Sequence, residues 1–199
     1  MSKELGYVLI TPYTLRKSRT GGVLGRLISS TGLDLVAARM IGPSQELVQR
    51  YADLVRSEKE VWPEIREVLS EYIEREMAPT ADGQVHRVLM LLFEGENAVN
   101  KLRDAIGGFE DSVESADTIR GTFGDYIKDH DGNVTYFEPA VLAAPTVEIA
   151  KQTIGLWAEF SEQDGGILKN AIRLADETDA EEALVIIKPD NFTFPSSRP

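Results

Sequence analysis

Hydrophobic positions along this chain change their spacing repeatedly, and each change marks an expected element. Gly6–Thr11 (GYVLIT) is short, apolar and β-branched, and it halts at Pro12, which has no N–H to give a ladder; it reads as a buried strand. A polar loop is expected next. Val23, Leu24, Leu27 and Ile28 then share one helical face and Gly32 supplies a stop, which predicts a helix over Gly22–Ser30. Leu33–Ile41 reads as a second strand. Ser44 is placed to cap a helix that has Glu46 in its first turn and Leu47, Tyr51 and Leu54 turned inward, ending near Arg56. A charged helix over Lys59–Met77 keeps Val61, Ile65, Val68, Leu69 and Ile73 on one face, so its other face is solvated.

His86–Phe93 (HRVLMLLF) is almost continuously apolar and is therefore a central strand. Glu96–Ile106 reads as a helix with Ala98, Val99, Leu102 and Ile106 inward. Thr118–Tyr126 is expected to form a short turn and a fourth strand, and Asp131-Gly132 a tight turn. Thr146–Ser161 is the last strong amphipathic helix, with a shorter one expected over Gly165–Leu174. This order is that of a split βαβ unit. The expected fold class is α+β: a ferredoxin-like βαββαβ antiparallel sheet covered on one face by helices, with an inserted helix.

Composition narrows the functions. With 199 residues and 42% hydrophobic side chains the chain can bury one domain-sized core and leave a tail. An excess of 33 acidic over 21 basic side chains, net charge −12, disfavours nucleic acid and anionic membranes as partners. There is no cysteine, and the two histidines, His86 and His130, are too few for most zinc sites, so no metal site is expected. Neither a signal-like segment nor a run of about 18 apolar residues is present, and the expected location is cytoplasmic.

The far end echoes the beginning. Ala183-Leu-Val-Ile-Ile-Lys-Pro-Asp190, followed by NFTFPSSRP, repeats the strand, proline and Ser-Arg pair of Tyr7-Val-Leu-Ile-Thr-Pro12 and its loop. A domain at 1–162, a helical linker at 163–180 and the opening strand of a second copy at 181–199 are expected; a chance match of two apolar strands is the plain alternative. An unpaired apolar strand there would seek a partner.

Four motifs carry a family resemblance: Val8-Leu-Ile-Thr-Pro12 with Gly22-Val-Leu-Gly25; Phe93-Glu-Gly-Glu-Asn97; Thr118-Ile-Arg-Gly121; and the run from Phe137 to Glu148 leading to Ile154-Gly-Leu-Trp157. In that order they resemble the nucleoside diphosphate kinases. The resemblance implies a ferredoxin-like core and a ping-pong reaction, in which a neutral histidine takes the γ-phosphate of ATP and passes it to a nucleoside diphosphate. Such a nucleophile needs a lone pair and surrounding cations.

In the family the histidine lies in a stretch of the type Asn-x-x-His-(Ala/Gly)-Ser-Asp. Here Leu142 occupies its position, Pro139 replaces the asparagine and Ala144 the serine. Leucine has no lone pair to give to phosphorus. Thr11 and Tyr13 replace the lysine and aspartate of the first strand's motif, Phe109 a phosphate-contacting threonine, and Thr153 the glutamate that orients the histidine. Arg103 and Arg120 match two phosphate-contacting arginines, and Tyr51 a tyrosine at the nucleotide cleft; a surface ion pair is the bland account of each arginine. The loop cations Arg16, Lys17 and Arg19 could stand in for the missing lysine, or simply be solvated.

His130 is the remaining candidate nucleophile, against an ordinary role as an exposed loop histidine. The implied function is a catalytically inactive, pseudokinase-like domain that keeps a nucleotide site at Tyr51, Arg103 and Arg120 and has a regulatory or structural role beside an active copy. The alternative is a functional kinase. Implied cofactors and partners are Mg2+ with ATP or another nucleotide, and a homo-oligomer or a second kinase-like domain.

Overall fold

The computed structural model describes residues 3–59, 61, 63–109, 117–131, 134–172 and 183–186. Among them the elements are β1 (Glu4–Ile10), α1 (Pro12–Arg16), α2 (Thr20–Thr31), β2 (Asp34–Ile41), α3 (Gln45–Ser57), α4 (Pro63–Met77) and β3 (Val88–Gly95), then α5 (Ala98–Ile106), α6 (Ile119–Phe123), β4 (Asp125–Lys128), β5 (Val134–Glu138), β6 (Val141–Leu142) and α7 (Val147–Asp164). The main sheet has the order β2-β3-β1-β6, all neighbours antiparallel, as the ferredoxin-like pattern requires. β1 and β3 pair over their whole length, from Glu4 opposite Gly95 to Ile10 opposite Leu89.

Helices cover both faces of this sheet, not one. Successive residues of β1 point to opposite sides: Tyr7 and Leu9 enter a core with α3, α4 and α7, while Val8 and Ile10 enter another with α2 and α5. The uninterrupted apolar runs of β1 and β3 are what a sheet buried on both sides requires. Gly6 lets α5 lie close, since a Cβ there would come within 2.5 Å of Leu102 Cδ1. The first turn of α5 is capped from a distance, its Val99 N–H donating to the Glu4 carboxylate at 3.0 Å.

Several local expectations change. The polar loop expected after β1 is the five-residue α1, because Thr11 accepts the Thr14 N–H and Pro12 fits the first helical position. Proline also moves the start of α4 from Lys59 to Pro63. Thr118–Tyr126 gives α6 and only the beginning of β4, since Thr118 caps a helix by accepting from Gly121 N–H. β4 pairs with β5 in a separate two-stranded ladder. The fourth strand of the main sheet is instead β6, whose two residues pair with Ile10 and Leu9 and are too few to show any periodicity.

Residues 165–172 form bends and an isolated bridge, not a helix, and 173–174 lie outside the described residues. Gly132 of the expected turn also lies outside them. Of the expected second-copy strand only Ala183–Ile186 is described; it joins no ladder, and Leu184 and Val185 are 86% and 82% exposed. Lys188, Pro189 and Asp190 lie outside the described residues.

Candidate functional site

A cleft of about 1150 Å³ opens between the α3–α4 hairpin, the α5–α6 connection, β6 and α7. Val55, Ile65, Val68 and Leu69 give it an apolar wall. Tyr51, Arg103 and Arg120, far apart in sequence, all line it, as do Leu142, Phe109, Ala144 and Thr153.

Arg120 is the most constrained of these. The Thr118 cap fixes the start of α6 and so aims the Arg120 side chain back across the α5–α6 connection. Its Nη1 donates to the Gly107 carbonyl and its Nη2 to the Val141 carbonyl at 3.4 Å, one residue before Leu142. The guanidinium lies 3.8 Å from the centre of the Phe109 ring, a cation–π contact, and Phe109 is backed by Phe137 at 5.4 Å. Its Nε is sealed from solvent without a partner. Burial pushes its pKa down to about 9, so at neutral pH it remains a cation. Gly107 has φ 84°, and a side chain there would collide with Thr118, so this crossing requires glycine. Arg103 is exposed at the rim and donates to the Pro145 carbonyl at 3.3 Å.

Tyr51 is buried, with its hydroxyl 3.5 Å from that of Tyr7 and its ring edge-on to Trp157 at 5.5 Å. Burial first, and the Tyr7 phenol second, hold its pKa well above the usual tyrosine value, so it stays neutral. Thr153, fully buried, adjoins the Tyr7 hydroxyl. Leu142 is 2% exposed and sits in the same core as Tyr7 and Tyr51.

Thr11 and Pro139 do not line this cleft. Thr11 is buried behind it, with its hydroxyl 3.1 Å from Glu138 Oε1 and 3.0 Å from the Ala140 carbonyl. Tyr72 donates to the same Glu138 oxygen at 2.7 Å. Burial raises the Glu138 pKa despite these hydrogen bonds. Glu138 and Pro139 line a smaller cavity of about 170 Å³ that shares Phe109, Arg120 and Tyr126 with the cleft. Sequence reasoning missed Glu138; its one signal is a lone carboxylate in the apolar run from Phe137 to Ala144.

The loop cations do not supply the missing lysine. Arg16 lies 3.8 Å from Glu76, Arg19 donates to the Phe123 carbonyl, and Lys17 lies over the Tyr13 ring. None of the three lines the cleft. His130 is exposed and is not among the lining residues, although its neighbour Asp131 is. His86 precedes β3, with Nδ1 buried and unpartnered. Also unforeseen were the carboxylates on the cleft: Glu58, Glu64, Asp104 and Asp131. Among the described residues no group of acidic or histidine side chains could hold a metal ion, and no helix is long and apolar enough to cross a membrane.

Fold and cleft together define a ferredoxin-like α+β domain with an arginine at the back of its cleft. The nucleoside diphosphate kinase family profile matches residues 4–157. A nucleoside diphosphate kinase of Legionella pneumophila strain Philadelphia 1 is 30% identical over 162 residues, covering 81% of this chain and 97% of that protein. The mitochondrial nucleoside diphosphate kinase of Columba livia is 26% identical over 160 residues, 80% of this chain and 75% of its own length. Among solved structures, an NDP kinase from Pyrobaculum aerophilum superposes with a TM-score of 0.59 at 17% identity, covering 78% of this chain and 96% of that one. The nucleoside-diphosphate kinase of Borrelia burgdorferi gives 0.58 at 21%, covering 84% and 92%. The chain belongs to the nucleoside diphosphate kinase family.

Proposed function

We propose that this domain binds a nucleotide in its cleft without transferring the phosphoryl group, and serves a regulatory or structural role beside an active copy of the same fold. The observation that carries this is Leu142: the cleft that collects Tyr51, Arg103 and Arg120 presents a hydrocarbon where the family's nucleophile stands. Of the hydroxyl groups that line the cleft, those of Tyr7 and Tyr51 are phenols that burial keeps neutral and hence poor nucleophiles. A cation still faces the cleft in Arg120, and the apolar α3–α4 wall suits a nucleoside. Magnesium would be held by the nucleotide's own phosphates, because the described residues offer no carboxylate cluster for it.

The partner is proposed to be a second copy, either the one whose opening strand begins near Ala183 or another molecule of this chain meeting the outer edge of β2. Among the described residues the backbone of that edge is bridged only at Ile41, by Gly165, and Val36 on the strand is 50% exposed.

The test is incubation of the chain with γ-labelled ATP and magnesium, followed by assay for acid-labile label. No label is expected. Label that disappears in His130→Ala would make the chain a kinase through that residue, and label that persists would place a nucleophile elsewhere.

A further inference from the structure

If the cleft holds a nucleotide, as proposed above, the charges on its walls bear on how many phosphates that nucleotide carries. Arg103 and Arg120 are the only cations among the described lining residues, against carboxylates at Glu58, Glu64, Asp104 and Asp131. Both arginines already spend N–H groups on carbonyls of Pro145, Gly107 and Val141. Arg16, Lys17 and Arg19, the cations nearest in sequence to the lost lysine, are engaged away from the cleft. Thr11 offers no charge, and it is turned toward Glu138.

From this shortage of positive charge we infer that the cleft selects its nucleotide by phosphate number, accepting a nucleoside monophosphate or diphosphate in preference to the free triphosphate. Each added phosphate brings about one further negative charge into a space lined by more carboxylates than guanidinium groups, and at short range that repulsion is only partly screened. At the back of the cleft Arg120 has only the N–H groups not given to Gly107 and Val141 to offer, enough to meet one phosphate group. A chain of three must extend toward the rim, where Asp104 adjoins Arg103. Magnesium on the phosphates cancels two charges, so it narrows the preference.

The experiment is calorimetric titration of the full chain with the mono-, di- and triphosphates of adenosine and guanosine at low salt, first with a chelator and then with magnesium. Free triphosphate is expected to bind about tenfold or more weakly than diphosphate, the gap shrinking with magnesium and with added salt. The double variant Glu64→Gln/Asp104→Asn, both on exposed side chains, is expected to tighten free triphosphate about tenfold and monophosphate less. Free triphosphate binding as tightly as diphosphate, or an unchanged triphosphate affinity in the double variant, would overturn selection by phosphate number while leaving nucleotide binding intact. Failure of every nucleotide to bind would overturn the nucleotide reading, and the selectivity with it.

Discussion

At the scale of single residues, Arg120 has two roles that can be separated. It ties the α5–α6 connection to β6 through two carbonyls and a ring face, and it presents charge to the cleft. Arg120→Ala is expected to lower stability by about 2 kcal/mol, from lost hydrogen bonds and stacking, and to weaken ADP binding about tenfold or more. Urea unfolding reads the first and calorimetric titration the second; unchanged ADP affinity in a folded variant would remove Arg120 from the site. Glu138 gives a pH signature. Its pKa is raised above the ordinary value of 4.5 by burial, so the folded state holds its proton more tightly than the unfolded chain does. Stability from this group is therefore greatest below that value and falls as pH rises through the folded pKa. Glu138→Gln, which keeps an acceptor for Tyr72, should flatten this fall; urea midpoints of both proteins from pH 4.5 upward would show it, and parallel profiles would refute it.

At the scale of elements, helix ends are fastened by residues remote in sequence. Ser44 caps α3 by accepting the Leu47 N–H, and its own hydroxyl and N–H both donate to Asp164 at the end of α7, at 2.7 and 2.9 Å. The sequence announces Ser44 as a cap, because a hydroxyl residue precedes the apolar period and an acid sits in the first turn. Asp164 is invisible there, being one acidic residue among many. Asp164→Ala should cost about 1–3 kcal/mol by stranding two donors, with Asp164→Asn milder, both read from denaturant midpoints. The same dependence on distant partners explains β6. Its two residues become a strand only because β1 lies beside them, and Leu142 is held facing the core by that pairing.

At the scale of the whole molecule, β2 leaves an outer edge on which Val36, Ala37 and Ala38 are exposed. Lysine is a common device for blocking such edges. On the proposed pairing of copies through this edge, Val36→Lys is expected to sediment as single chains at a concentration where the unaltered protein forms the larger species. Equal sedimentation of the two would exclude β2 from the contact.

The α+β class, family membership and the order of elements from β1 to α5, apart from the short α1, could be read from the sequence, because each rests on local periodicity or on short motifs that neighbouring residues spell out. The absence of a histidine at residue 142 was equally plain there, since it is a matter of covalent chemistry. Only the tertiary structure decided that helices cover both faces of the sheet, which strand closes it, that Arg16, Lys17 and Arg19 are bound elsewhere, and that carboxylates outnumber cations on the cleft. Those facts concern groups brought close by folding, and electrostatic and packing energies follow distance in space, which a one-dimensional order of residues does not contain.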